Sequence, residues 1–190
     1  NYKFSNGEIK KTGTIGHIGT TSFFPSKNLG CYGDGGAMFT NDDNLAEKMK
    51  MIANHGQNKR YYHKVTGCNS RLDSIQAAIL NVKLKYLDQY NSNREKMAKT
   101  YDIGFGDVEH LSIPFRSPNS THVFHQYTLK TSAEYRDKLI DYLTEKEIPA
   151  MIYYPVPLYR QEAFSSYVPE NFYIENIEKL CNSVFSLPIH

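Results

Sequence analysis

The stretch that decides the fold is SFFPSKNLGCYGDGG, Ser22 to Gly36. A single lysine, Lys27, follows two aromatics and a proline and precedes a run of glycines. Lysines ordinarily occupy solvated surfaces with freedom to move. Pro25 fixes a backbone angle two residues ahead of Lys27. Ser22 and Ser26 place hydroxyls beside it. Gly30, Gly33, Gly35 and Gly36 let a backbone or a ligand approach closely. A primary amine so confined suits covalent work on a carbonyl, which needs a positioned and partly neutral lysine. The order of residues excludes two phosphate-binding readings. A P-loop has its lysine after the glycines, and here it comes before them. GCYGDGG also fails the spacing of the dinucleotide fingerprint.

Outward from this stretch, residues 14–24 read as short strands with turns at Gly16 and Gly19, and AMFT at 37–40, after the glycine run, as a short buried strand. A helix is expected after Asn44, which with Glu47 forms a capping-box pattern, and it should end at Gly56. Asp42 and Asp43 read as turn or helix-start residues rather than catalytic acids. Residues 57–71 read as a loop. A second capping-box pattern, Asp73 with Gln76, opens the strongest helical segment. Leu72, Ile75, Ile79 and Val82 form one apolar stripe, and Leu80, Leu84 and Leu87 another, a width that predicts burial on two sides. Helical spacing runs on to Tyr101 and stops at Gly104 and Gly106, so one long helix is expected to bridge two domains. Beyond it, residues 122–130, a helix at 134–147, AMIYY, a helix at 174–183 and VFSL give the order β-α-β-α-β, a small α/β layer of its own. The boundary is expected near residue 104, giving domains at 1–104 and 105–190.

Composition narrows the function. The chain of 190 residues is 40% hydrophobic and 22% charged, with a net charge of +2, which is ordinary for a globular domain and gives no general attraction to nucleic acid. The NKRYYHK segment, Asn58 to Lys64, is the one place where a nucleic-acid patch competes with a solvated loop. No apolar run is long enough for a membrane span, and the first residues lack the apolar core of a signal peptide. Three widely spaced cysteines, Cys31, Cys68 and Cys181, predict reduced thiols and a cytoplasmic setting. No carboxylate or cysteine stands at metal-ligand spacing from the histidines, so no metal is expected.

Three longer matches point to a family. SFFPSKNLGCYGDGGAMFTND (22–42), HGQNKRYYHKVTGCNSRLDSIQAAIL (55–80) and YYPVPLYRQEAF (153–164), with FSLPIH closing the chain, resemble the DegT/DnrJ/EryC1/StrS sugar aminotransferases, which depend on pyridoxal 5'-phosphate. The resemblance implies the later half of an aspartate-aminotransferase-like large domain, followed by a small α/β domain. It implies that Lys27 bonds the cofactor, that Ser22, five positions earlier, holds its phosphate, and that Asn69 reaches the phosphate from a neighbouring subunit, hence a homodimer. Arg71 and Tyr154 would contact substrate. Tyr153 stands where the family often has histidine. The implied reaction moves an amino group from an amino acid, glutamate in this family, to a nucleotide-linked keto sugar such as a 3-keto UDP-sugar, for amino-sugar and polysaccharide synthesis. Relatives with histidine in place of the lysine dehydrate instead, and Lys27 argues against that branch.

The resemblance also implies that the aspartate facing the pyridine nitrogen and the aromatic on the cofactor ring lie upstream of Asn1. The expectation is therefore a piece of a longer chain, with a truncated second domain and weak or no activity by itself. The alternative from another class is a non-catalytic binding module.

Overall fold

The computed structural model describes residues 1–189. The chain divides into two compact units, Asn1–Asn91 with Ser117–His122, and Ser92–Arg116 with Val123–His190.

In the first unit, β1 (Tyr2–Lys3) and β2 (Ile9–Lys10) pair antiparallel around a turn at Gly7. The central hairpin is β3 (Gly19–Ser22) against β4 (Gly36–Phe39), antiparallel, with Ser22 opposite Gly36. Residues 23–35, with Lys27 among them, are therefore the loop of one hairpin. β4 is not the buried strand expected of AMFT, since Met38 and Phe39 are 49% and 51% exposed. Helix α1 (Asp43–Ala53) starts one residue earlier than its expected cap. Asp42 is the cap, and its carboxylate accepts the Leu45 N–H at 3.0 Å. That contact satisfies a first-turn donor that would otherwise be unpaired.

Residues 57–63 are not simply a loop. They form a small antiparallel hairpin, β5 (Gln57–Lys59) with β6 (Tyr62–His63). Its polar, strongly charged sequence hides the strand alternation, and Tyr61 takes the left-handed turn conformation with φ +70°. Helix α2 (Ser74–Leu84) lacks the expected capping box, since Asp73 makes no side-chain cap hydrogen bond. The expected single helix is also broken. Leu84 ends α2, and α3 (Leu87–Phe105) begins after a tight turn in which Tyr86 N–H donates to Lys83 O at 3.0 Å. Neither glycine nor proline marks this break, and Gly104 lies within α3. The two apolar stripes of α2 are not both buried. Only Leu80 is, while Ile75, Val82 and Leu84 are 73%, 59% and 55% exposed. Apolar spacing records what a helix can bury, and nothing in this unit covers that face.

The second unit contains most of α3 together with β7 (Tyr127–Lys130), α4 (Ala133–Glu145), α5 (Glu175–Ser183) and β8 (Val184–Leu187). β7 and β8 pair antiparallel from Tyr127–Leu187 to Lys130–Val184. AMIYY contributes only a bridge, Met151 to Ser186. Ala98, Phe124, Tyr127, Leu129, Phe185, Leu187 and Ile189 form a closed core. All four β8 residues are buried, which explains why VFSL reads as a continuous rather than an alternating run. Arg136 of α4 is buried as well, and its guanidinium donates to Cys181 O of α5 at 2.9 Å.

Candidate functional site

Local hydrogen bonds shape the turn that carries Lys27. Lys27 N–H donates to Phe24 O at 2.8 Å, closing a β-turn with Pro25 at its second position, where the fixed proline angle is preferred. Ser22 ends β3, and its Oγ accepts the Phe24 N–H at 3.2 Å. That bond uses a lone pair and leaves the hydroxyl proton available as a donor. Lys27 is half-buried. Among the described residues it makes no ion pair.

The rest of the loop folds around Cys31, which is wholly buried. Cys31 N–H donates to Phe23 O at 2.8 Å and Phe23 N–H to Gly35 O at 2.7 Å. The Cys31 thiol lies 2.9 Å from Gly33 O and 3.0 Å from Phe23 O, sharing its proton between them. A side chain at residue 30 would put its Cβ 2.5 Å from Pro25 O, so only glycine lets the chain cross there. Two contacts join the loop to the helices of this unit. Asn28 Nδ2–H donates to Asn91 Oδ1 at 2.8 Å, and Tyr32 N–H donates to Gln76 Oε1 at 2.8 Å.

Asn69 and Arg71 lie on a second, exposed segment laid along the end of α1. His55 N–H donates to Cys68 O, Cys68 N–H to Ile52 O and Ser70 N–H to Ala53 O, each at 2.9 Å. Gly56 and Gly67 make this approach possible, because a Cβ on Gly67 would fall 2.2 Å from Gly56 N. Arg71 Nε–H donates to Asn69 Oδ1 at 3.1 Å, which leaves the Asn69 NH₂ group as a free-facing donor. Both residues line a cleft with Thr20, Thr21 and Asp34, one that Ser22 and Lys27 do not line. The structure thus pairs Asn69 directly with Arg71, while Ser22 and Lys27 share a loop in which each bonds to Phe24.

Arg71 also borders a cleft of about 780 Å³ with Lys50, Lys59, Arg60 and Lys64, and Glu47 is the one carboxylate on its wall. Lys59 sits over the Tyr62 ring and Arg60 over the Tyr61 ring, 5.3 and 5.0 Å from the centroids. Such a cation-rich wall suits a polyanion with planar groups. The β5–β6 hairpin that gathers these cations was not legible as structure in the sequence.

Tyr153 and Tyr154 belong to the second unit. Their rings meet edge to face at 5.6 Å, and both line an apolar cleft of about 600 Å³ with Pro155, Leu158, Ile177 and Leu180. Beside it, Tyr159 O–H donates to Glu178 Oε1 at 2.5 Å, and Arg160 Nε pairs with the same oxygen at 2.5 Å. The Glu178 charge raises the Arg160 pKa. Sequence reading missed this cluster, because Glu178 meets its partners only through tertiary folding.

Comparison with known proteins agrees with these observations. The chain is 45% identical over 184 residues to a pleiotropic regulatory protein of Geobacillus stearothermophilus, covering 95% of this chain and 48% of the relative. It is 41% identical over 181 residues to a UDP-2-acetamido-2-deoxy-3-oxo-D-glucuronate aminotransferase of Pseudomonas aeruginosa, covering 95% and 49%. Its fold matches that of DesV from S. venezuelae, solved in complex with a ketimine intermediate, with a TM-score of 0.85 and 38% identity over 90% of this chain and 46% of that one. The chain spans about half the length of the relatives it matches. No helix of the described residues is long and apolar enough to cross a membrane. Residues 4–190 match the model of the DegT/DnrJ/EryC1/StrS aminotransferase family, and the chain belongs to that family.

Proposed function

We propose that the protein carrying this chain is a pyridoxal-phosphate-dependent aminotransferase, moving an amino group from an amino acid, glutamate, to a nucleotide-linked keto sugar. The observation that carries this reading is the Lys27 loop: a half-buried primary amine at the end of a proline turn, five positions from a hydroxyl with a proton to donate.

The donor set fits the cofactor. An amine matches an aldehyde, and a hydroxyl and an amide match a phosphate without adding a titrating group. Bound pyridoxal phosphate would supply the carbonyl that takes up the amino group and the ring that withdraws electrons. Lys27 Nζ would bond the cofactor, and once released would carry a proton between the carbons that exchange it. Ser22 Oγ and Asn69 Nδ2 would hold the phosphate. A homodimer in which each Asn69 serves the other copy rests on the family resemblance; in this chain Asn69 lines a cleft with Thr21 and Gly36, the neighbours of Ser22. The Lys59, Arg60 and Arg71 wall would neutralise the sugar nucleotide's diphosphate. Tyr153 and Tyr154 would be substrate contacts on the family resemblance alone.

The relatives favour this acceptor class, since one is named for a UDP-linked 3-oxo sugar acid. The test is to mix the protein with pyridoxal phosphate, reduce with borohydride and map the mass increase. The reading expects a covalent adduct at Lys27, followed by amino transfer from glutamate to a keto sugar nucleotide. An unmodified Lys27 overturns it.

A further inference from the structure

Resting on the reading of Lys27 as the cofactor-bonding amine, we propose that Gln76 is a positioning residue for that lysine. Its sequence position suggested helix capping, yet Asp73 forms no cap bond. The Gln76 carboxamide instead points across the unit and accepts the Tyr32 N–H at 2.8 Å. A backbone N–H can only donate, so the group facing Tyr32 is the carbonyl oxygen. The adjacent Gly33 leaves room for it, since a Cβ there would sit 3.3 Å from Gln76 Nε2.

Lys83, seven residues along the same helix and so on the same face, lies over the Tyr32 ring at 5.4 Å. α2 therefore holds Tyr32 by its backbone, and Lys83 adds a weak contact to a ring that is largely exposed. The grip passes to Lys27 through the loop's own bonds. Tyr32 is flanked by Cys31 and Gly33, which share the thiol contact. Cys31 N–H is bonded to Phe23 O, and the next carbonyl, Phe24 O, accepts the Lys27 N–H. Without the Gln76 oxygen the loop keeps its internal bonds but loses its fixed attitude on α2. A displacement of the amine by about 1 Å is enough to cost one to two orders of magnitude in a bond-forming step.

The requirement is for an acceptor, which gives the test. In the full protein, Gln76→Leu removes the acceptor, and Gln76→Glu keeps one at the same reach. Each is mixed with pyridoxal phosphate, and the rate of borohydride-trapped adduct at Lys27 is measured by mass spectrometry beside the melting temperature. The expected result is a roughly tenfold slower adduct in Gln76→Leu and a rate within about twofold of the parent in Gln76→Glu. Should Gln76→Leu not fold, Gln76→Asn, one methylene too short to reach Tyr32, is expected to show the same slowing. Equal rates for leucine and glutamate, or parental rates for leucine or asparagine, overturn the inference. Absence of any Lys27 adduct in the parent protein overturns the functional reading instead, so the two failures are distinct.

Discussion

The two units hold themselves together in different ways. The second closes a core in which Tyr127, Phe124, Phe185 and Leu129 are almost wholly removed from water. Among the described residues, the apolar side chains buried in the first are Cys31 and Leu80, while Met38 and Phe39 of β4 remain about half exposed. Burial of apolar area is the main driving term for the second unit. The first unit orders its Lys27 loop with backbone hydrogen bonds, a buried thiol, a proline and glycines at close crossings. Positional accuracy for one amine does not require a large core around it. It requires a loop whose donors and acceptors close on each other and a few hydrogen bonds that anchor it to the helices.

The sharpest test of this contrast is Lys27→Met. It is expected to abolish the borohydride-stable adduct, as measured by mass spectrometry, and to shift global stability by no more than about 0.5 kcal/mol. A large loss of stability would show that Lys27 supports the fold. Phe185→Ala comes next, with an expected cost of about 3–5 kcal/mol in chemical denaturation, because it opens a cavity in a closed core. Leu80→Ala should cost about 2 kcal/mol, the low end for leucine, since its neighbours on α2 are already solvated. Equal costs at the two sites would break the comparison.

Tyr127→Phe probes the polar edge of the second core. Tyr127 O–H donates to Asp102 Oδ1 at 2.8 Å, and Arg116 pairs with the other carboxylate oxygen. Burial first, then the Asp102 hydrogen bond and charge, raise the Tyr127 pKa above its usual value. The folded protein therefore holds this proton more tightly than the unfolded chain. Stability is unaffected below the unfolded value of about 10 and falls as pH climbs past it. The phenylalanine variant should lose about 1.5 kcal/mol at neutral pH and show a shallower alkaline decline in a denaturation series. The smallest effect is expected at Asp42→Ala, about 1 kcal/mol of α1 stability from loss of the cap, read by hydrogen exchange of the first-turn amides.

Short-range chemistry was legible in the sequence. Pro25 announced a fixed backbone angle before Lys27, Gly30 a close approach, Asp42 and its neighbours a turn or helix start, and VFSL a strand. Each depends on neighbours a few residues away, where residue type nearly fixes the geometry. What failed were features that carry no residue-type signal or that depend on packing. The break between α2 and α3 carries no glycine or proline. The β5–β6 hairpin is masked by its charges. The stripes of α2 showed capacity for burial, and the structure shows which part of it is used.

The amino-acid sequence by itself determined the backbone turns of the Lys27 loop, because proline and glycines constrain the chain locally, and its longer motifs, 22–42 and 55–80 above all, determined the family to which it points. Only the tertiary structure decided what holds that loop. Gln76 lies 44 residues from Tyr32 and Asn91 lies 63 from Asn28. No local periodicity encodes such contacts, since they exist only after the helices have brought distant donors and acceptors within hydrogen-bond reach.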